Sequence, residues 1–193
     1  MGVLQYRVGW NTGGTNPGVS VFHARIGGGN TAGGASQDFA DRTRTFFDAV
    51  KGFVAGAIVW DFPGEVLELD TASGDLEGVH EVTKPTNVTA SGTGNWAAPA
   101  GARIEWRTTA IVSGRRLRGR TFLVPLVVSA YDAAGSLTTP AITALTAAAN
   151  AYKDANVFVR CNPCVYSRTH GIQADISSVL LPDEVSILRS RRE

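Results

Sequence analysis

The chain has 193 residues and a net charge of +1, with 44% hydrophobic and 18% charged residues. A chain of this length can bury a sizeable core as one domain without disulfides or metal ions. Its balanced charge excludes a global electrostatic field that would concentrate nucleic acid or acidic substrates.

The sequence carries no targeting pattern. The first ten residues lack a basic region followed by an apolar run, so we expect no signal peptide. No stretch is long and apolar enough to span a bilayer, so we expect no membrane partner. We expect one domain over residues 1–193, made in a cytoplasm, with exposed loops near 11–18, 27–35 and 84–101.

Residues 4–26 predict a hairpin of two strands. Apolar and polar residues alternate over 4–10, and a second strand-like run covers 19–26. The connection over 11–18 is rich in Gly, Asn and Thr, which is typical of an extended turn.

A glycine-rich segment, 27–34, precedes a predicted helix. The segment lacks the Gly-Lys-Ser/Thr ending of a phosphate-binding loop, so we interpret it as an exposed loop. Ser36 is predicted to cap the helix, which ends near Gly52. Apolar residues at helical spacing predict one buried face, formed by Phe39, Thr43, Phe46, Phe47, Val50 and Val54.

The middle of the chain predicts three short strands, over 57–60, 65–70 and 76–82. The segment 84–101 is rich in Thr, Gly, Pro and Asn, and is predicted to be a loop in which Trp96 anchors the chain or contacts a partner. Acidic residues concentrate along these strands and turns: Asp61, Glu65, Glu68, Asp70, Asp75, Glu77 and Glu81.

The clearest strand signal covers 102–112, and a turn near Ser113–Gly114 leads to a return strand over 115–126. A second helix is predicted to begin at Thr139 as its cap, with Pro140 in the first position. Its buried stripe is predicted to be Ile142, Leu145, Ala148, Ala149 and Tyr152. The tail predicts further strands over 157–160, 172–180 and 184–188.

The resulting order, ββ-α-βββ-ββ-α-βββ, predicts an α+β fold. We expect a mostly antiparallel sheet, either sandwich-like or a single curved sheet, with two α-helices packed on one side.

The sequence contains no recognisable catalytic arrangement. No Gly-x-Ser-x-Gly motif surrounds a serine, and three histidines are few for general-base chemistry. Cys161 and Cys164 are spaced C-x-x-C, but they fall in a predicted turn and lack further ligands for zinc. We therefore expect no catalytic residue, no cofactor and no metal; the acidic cluster leaves a small hydrolase open as an alternative.

The arginines are the most distinctive group. Arg116, Arg118 and Arg120 share one strand face because side chains repeat every two residues. The segment fits a solvated basic turn, a subunit interface facing an acidic partner, or a nucleic-acid contact, and the last lacks an accompanying aromatic pattern. The predicted interface residues are Arg115, Arg116, Arg118, Arg120, Arg189, Arg191, Arg192 and Trp96.

Two segments carry a resemblance. The run from Gly114 to Leu126 and the ending from Pro182 to Arg192 resemble small structural proteins of tailed bacteriophages, particularly those of actinobacteria. The resemblance covers the chain from about Trp106 onward, and it implies a virion protein made in the host cytoplasm. It implies no catalytic residue.

These observations predict a virion structural protein, such as a capsid, decoration, connector or tail component. Its expected partners are copies of itself and other virion proteins, in a symmetric oligomer. The alternatives are a nucleic-acid-binding module that uses the arginines and a small hydrolase that uses the acidic cluster.

Overall fold

A computed structural model describes residues 2–11, 17–27, 29–54, 57–92, 103–112, 115–123, 138–153, 164–169 and 172–175. The helices of this part of the chain are α1 (Ala32–Val50) and α2 (Thr139–Lys153), and a 3-10 turn, Lys51–Phe53, follows α1. The strands are β1 (Val3–Asn11), β2 (Gly18–Arg25), β3 (Val59–Asp61), β4 (Glu65–Leu69), β5 (Leu76–Glu81), β6 (Val88–Thr89), β7 (Arg103–Val112), β8 (Arg115–Leu123), β9 (Cys164–Thr169) and β10 (Ile172–Asp175).

A six-stranded antiparallel sheet is built around β1. One edge of β1 pairs with β2 along its length. The other edge pairs with β4 at one end and with β3 at the other. β5 then extends the sheet beyond β4, and β6 extends it beyond β3. The outermost strands are therefore β2 on one side, and β5 and β6 on the other.

β3 and β4 behave as one interrupted strand beside β1. Gly9 lies opposite Asp61 and Gln5 lies opposite Leu67, so four steps along β1 correspond to six along its partner. The two additional residues fall in the segment between β3 and β4, where the Tyr6 hydroxyl donates a 2.8 Å hydrogen bond to the Pro63 carbonyl. This bond satisfies a buried phenol, and burial also raises the pKa of Tyr6.

The core lies between α1 and one face of this sheet. Phe47 is at its centre, with ring centroids 4.8 Å from Trp60 and 5.2 to 5.7 Å from three phenylalanines. Such aromatic contacts add to the large apolar area that each ring buries. The predicted buried face is confirmed, because its six residues are all fully buried: Phe39, Thr43, Phe46, Phe47, Val50 and Val54. Val54, however, lies beyond the end of α1, in extended backbone after the 3-10 turn.

The start of α1 differs from the prediction. The cap is Thr31, whose hydroxyl accepts a hydrogen bond from the Gly34 amide at 3.3 Å, so the prediction that Ser36 caps the helix is wrong. Ser36 instead donates to the Ala32 carbonyl from inside the first turns. The loop expected near 27–35 is therefore shorter, because the glycines at 33 and 34 belong to the helix. The Thr31 hydroxyl accepts a hydrogen bond from one of the amides that has no partner within the first helical turn.

Two other boundaries also differ. Within the segment 84–101, predicted as an exposed loop, β6 pairs with β3, and Val88 and Ala90 are buried. The α2 helix starts one residue earlier than predicted, because the Ile142 amide already donates to the Thr138 carbonyl at 3.0 Å. Pro140 therefore lies within the first turn, where a missing N–H still costs nothing.

A second antiparallel sheet has the order β10-β9-β7-β8. β2, an outer strand of the first sheet, lies against β7 and β8. The strands together form a mostly antiparallel, curled half-barrel that carries two helices, which is an α+β fold as predicted. The strands predicted over 157–160 and 184–188 lie outside the described residues.

Candidate functional site

The predicted arginine segment forms β8. It pairs antiparallel with β7, and the register places Arg120 opposite Arg107 and Arg118 opposite Thr109. β7 pairs on its other edge with β9, where Arg103 lies opposite Arg168. The arginines that the sequence grouped along one strand are thus joined by arginines from two more strands.

These registers define a single basic face of the second sheet. Residues directly opposite in antiparallel strands lie on the same face, and alternate residues along a strand return to it. We call this set of positions the arginine face: Arg103, Arg107, Arg116, Arg118, Arg120 and Arg168. Glu105 and Asp175 are the acidic positions that share it.

The opposite face of the same sheet is apolar. Its positions include Ile104, Trp106, Ala110, Leu117, Leu123 and Val165. The face contains one charged position, Arg115, at the end of β8. A sheet with this pattern buries its apolar face and leaves the charged face for water or for a partner.

Two pairs on the arginine face place like charges directly opposite one another, Arg107 with Arg120 and Arg103 with Arg168. Such cross-strand pairs are destabilising in isolation. An anion that binds between two opposed guanidinium groups would remove that repulsion, and guanidinium forks suit carboxylates and phosphates. Opposed arginines of this kind are therefore suited to an anionic partner.

A second charged surface lies on the first sheet. We call β4, β5 and their connecting turn the acidic hairpin. Residues 65–81 contain six acidic residues and neither Lys nor Arg. Glu65 lies directly opposite Glu81, and both are exposed. This pair repeats, with the opposite sign, the like-charge pairing of Arg107 with Arg120.

The acidic pair is on the sheet face that points away from α1. Val66 is buried in the α1 core, so its neighbours Glu65 and Leu67 belong to the other face. Leu67 lies opposite Val79 on this face, beside the acidic pair. Val79 and Leu76 are 51% and 59% exposed, so apolar surface accompanies the carboxylates.

Three of the remaining acidic residues of this region have local side-chain partners. Asp70 accepts bonds from the Ala72 and Ser73 amides, which hold its pKa below the ordinary value, and Gly74 closes this turn at a φ of 83°. Glu68 lies 2.7 Å from the His80 ring, and Asp61 pairs with Lys84 at 3.0 Å. These contacts give no support to the hydrolase alternative.

Glu65 and Glu81, by contrast, form no ion pair within 4 Å among the described residues. β4 and β5 pack against β1 and α1, whereas β7 and β8 pack against β2 and β9. Because β5 and β2 are outer strands on opposite sides of the first sheet, the acidic hairpin and the arginine face lie on opposite sides of β1.

His23 is a buried ionisable group of the first sheet. It is 4% exposed, and its Nε2 lies 2.9 Å from the Gln5 amide nitrogen on the neighbouring strand. Burial, reinforced by the charge of Arg7, lowers the pKa of His23 to about 4. The imidazole is neutral at neutral pH, as expected for a histidine within the fold.

A shallow groove of about 570 Å³ lies at the end of β1 and β2. Trp10, Pro17 and Val19 contribute much of its apolar wall. Trp10 lies opposite Gly18, and a Cβ at position 18 would overlap the indole ring. The groove contains one acidic residue, Asp61.

Several predicted residues are not placed. Trp96, Arg189, Arg191, Arg192 and Cys161 lie outside the described residues, while Cys164 begins β9. Within the described ranges, no group of three or more His, Cys, Asp or Glu is placed to hold a metal ion. Among the described helices, none is long and apolar enough to cross a bilayer.

Sequence reasoning missed the contribution of Arg103, Arg107 and Arg168 to the basic surface. The alternation of Arg103 and Arg107 was visible in the sequence, but the pairing of β9 with β7 was not, because it joins segments about sixty residues apart. A count of charges on both strands of the predicted hairpin would have found two of these three residues.

Comparison with protein-family models, with curated proteins and with solved structures finds no match to this chain.

Proposed function

We propose that this chain is a structural subunit of a bacteriophage particle, such as a capsid, decoration, connector or tail component. It assembles through contacts with copies of itself and with other particle proteins. The observation that carries the proposal is the separation of charge in a chain of net charge +1: six arginines on one sheet face and six acidic residues on a distant hairpin. The resemblance of the 114–126 and 182–192 segments supports the phage setting.

The proposal includes a finer arrangement of the fold, in which α1 and α2 cover the same side of the curved sheet. Ala141 of α2 is 1% exposed and belongs to the same core cluster as α1. Ile142 packs against that cluster.

The oligomeric state of the purified chain tests the assembly. Sedimentation velocity between about 1 and 100 μM should show association that weakens as salt rises, because exposed charges more than about 8 Å apart are screened at physiological ionic strength. An antibody against the chain should label purified phage particles. A strictly monomeric chain that is absent from particles would contradict the proposal.

A nucleic-acid-binding module is the second candidate. The specific observation in its favour is that Phe122 and Tyr166 share the arginine face, on either side of Glu105. Aromatic rings beside arginines can stack with unpaired bases. Fluorescence anisotropy with a single-stranded oligonucleotide tests this: binding should weaken steeply with salt, and Arg118→Gln and Arg120→Gln should reduce the salt slope by about one each.

A further inference from the structure

We infer that copies of this chain associate head to tail, with the arginine face of one copy docked on the acidic hairpin of the next. The inference rests on the proposed function, because it specifies the contact through which the subunits assemble. The arginine face is then covered by a second copy of this chain.

Each of the two surfaces contains a pair of like charges on directly opposed strand positions. The arginine face places Arg107 opposite Arg120, and the acidic hairpin places Glu65 opposite Glu81. Directly opposed residues in antiparallel strands are separated by about 4.5–5.5 Å between Cβ atoms, so the two pairs have similar spacing. Docking one pair on the other replaces two repulsions with charge-assisted hydrogen bonds between guanidinium and carboxylate.

The rows next to the two charged pairs both contain apolar or aromatic residues. Next to the acidic pair, Leu67 lies opposite Val79, and Val79 is half exposed. Next to the Arg107–Arg120 pair, Phe122 and Tyr166 lie on either side of Glu105. Interfaces commonly combine apolar and aromatic residues with charged ones at the rim. Each surface therefore has apolar or aromatic residues beside its like-charged pair.

Among the described residues, Glu65 and Glu81 have no ion-pair partner within 4 Å. The acidic hairpin packs against β1 and α1, whereas the paired strands β7 and β8 lie against β2 on the opposite side of β1. Complementary surfaces on opposite sides of a subunit produce a heterologous interface, which closes into a ring or continues as a filament. A two-fold dimer with either charged surface at its axis would instead bring that surface against itself and add to the repulsion.

Two double charge reversals test the inference. One variant carries Arg107→Glu and Arg120→Glu, and the other carries Glu65→Lys and Glu81→Lys. Each variant alone presents like charges at the contact, so we expect its association to weaken by at least about tenfold. In a 1:1 mixture the intact arginine face meets an intact acidic hairpin and the two reversed surfaces also match, so association should return.

The matched control is Asp41→Lys, a charge reversal at an exposed residue of α1. This control should associate like the unmodified chain. Circular dichroism checks that each reversal folds, and the neutral pairs Arg107→Gln with Arg120→Gln and Glu65→Gln with Glu81→Gln replace any that does not. The neutral variants should also associate more weakly than the unmodified chain.

The outcomes separate the two proposals. If the unmodified chain associates but the reversals and neutral pairs leave association unchanged, or if the mixture of reversals stays dissociated, the head-to-tail contact is overturned while assembly stands. If the unmodified chain is monomeric at every concentration and salt, the proposed function fails first, and the contact fails with it.

Discussion

The two sheets of this protein use their faces differently. The six-stranded sheet covers one face with α1 and buries a cluster of aromatic rings there, centred on Phe47. The four-stranded sheet places six arginines on one face, and two pairs of them are directly opposed. A charged face of this kind is suited to water or a partner rather than to an apolar core. Under our proposal the first sheet mainly provides stability, and the arginine face of the second provides recognition.

The acidic hairpin belongs to the sheet that carries the aromatic core, but we propose that it also serves in recognition. Its Glu65–Glu81 pair is exposed at an outer strand, away from the α1 core. Substitutions in the aromatic core should therefore change the free energy of unfolding, whereas substitutions in either charged surface should change association.

The largest expected effect is that of Phe47→Ala. The ring contacts Trp60 and three phenylalanines and is fully buried, so its removal leaves a cavity in the most densely aromatic part of the core. We expect a loss of about 3–5 kcal/mol in the free energy of unfolding, measured with urea. Thr45→Ala, at an exposed position of the same helix, should cost less than about 1 kcal/mol. Equal effects of the two substitutions would contradict the assignment of the core.

A pH dependence of intermediate size should come from His23. Its pKa is about 4 in the folded chain and 6.5 in the unfolded chain, so the unfolded state binds the proton first as pH falls. The contribution of His23 to the free energy of unfolding is therefore fully present above pH 6.5. As pH falls from about 6.5 to 4, the free energy of unfolding decreases by roughly 2–3 kcal/mol.

Denaturant titrations of the His23→Gln variant at pH 7 and pH 4.5 measure this contribution. The variant should lose less stability between the two values than the unmodified chain does. His80→Gln alters a partly exposed histidine beside Glu68. This variant should retain the loss of stability between pH 7 and pH 4.5 that is due to His23. An unchanged pH dependence in His23→Gln would show that the imidazole titrates normally.

The smallest expected effect on stability is that of Arg120→Gln. The substitution removes one member of a like-charged cross-strand pair, so unfolding should become slightly more difficult, by about 0.2–1 kcal/mol. The same variant should associate more weakly. A variant that lost both stability and association would show that Arg120 supports the fold, and would remove the distinction between the two sheets.

Much of the fold could be predicted from local patterns. The α1 stripe followed from apolar residues at helical spacing, and the β1–β2 and β7–β8 hairpins followed from alternation with turn residues between the runs. The predicted capping residue of α1 was wrong because the glycines at 33 and 34 suggested a loop. In the structure the Thr31 hydroxyl stabilises the start of the helix there. Propensity alone does not detect such a bond.

Long-range pairing could not be predicted. β6 has two residues, and its pairing with β3 exists because Val88 and Ala90 are buried against the core. The basic segment of the site was visible in β8, but the arginine face depends on the registers of β7 with β8 and β9. The opposed charges of Glu65 and Glu81 likewise appear only when the register of β4 and β5 is known.

The central claim is that the arginine face contacts the acidic hairpin of another copy. Zero-length carbodiimide cross-linking of an Arg118→Lys variant, prepared as an equal mixture of ¹⁴N- and ¹⁵N-labelled chains, tests it most directly. We expect cross-links that join a β8 peptide of one chain to a β5 peptide of another chain. In the mixed sample these cross-links include pairs of one ¹⁴N-labelled and one ¹⁵N-labelled peptide. Cross-links confined to chains of the same label, or none between these segments in a sample that associates, would contradict the account.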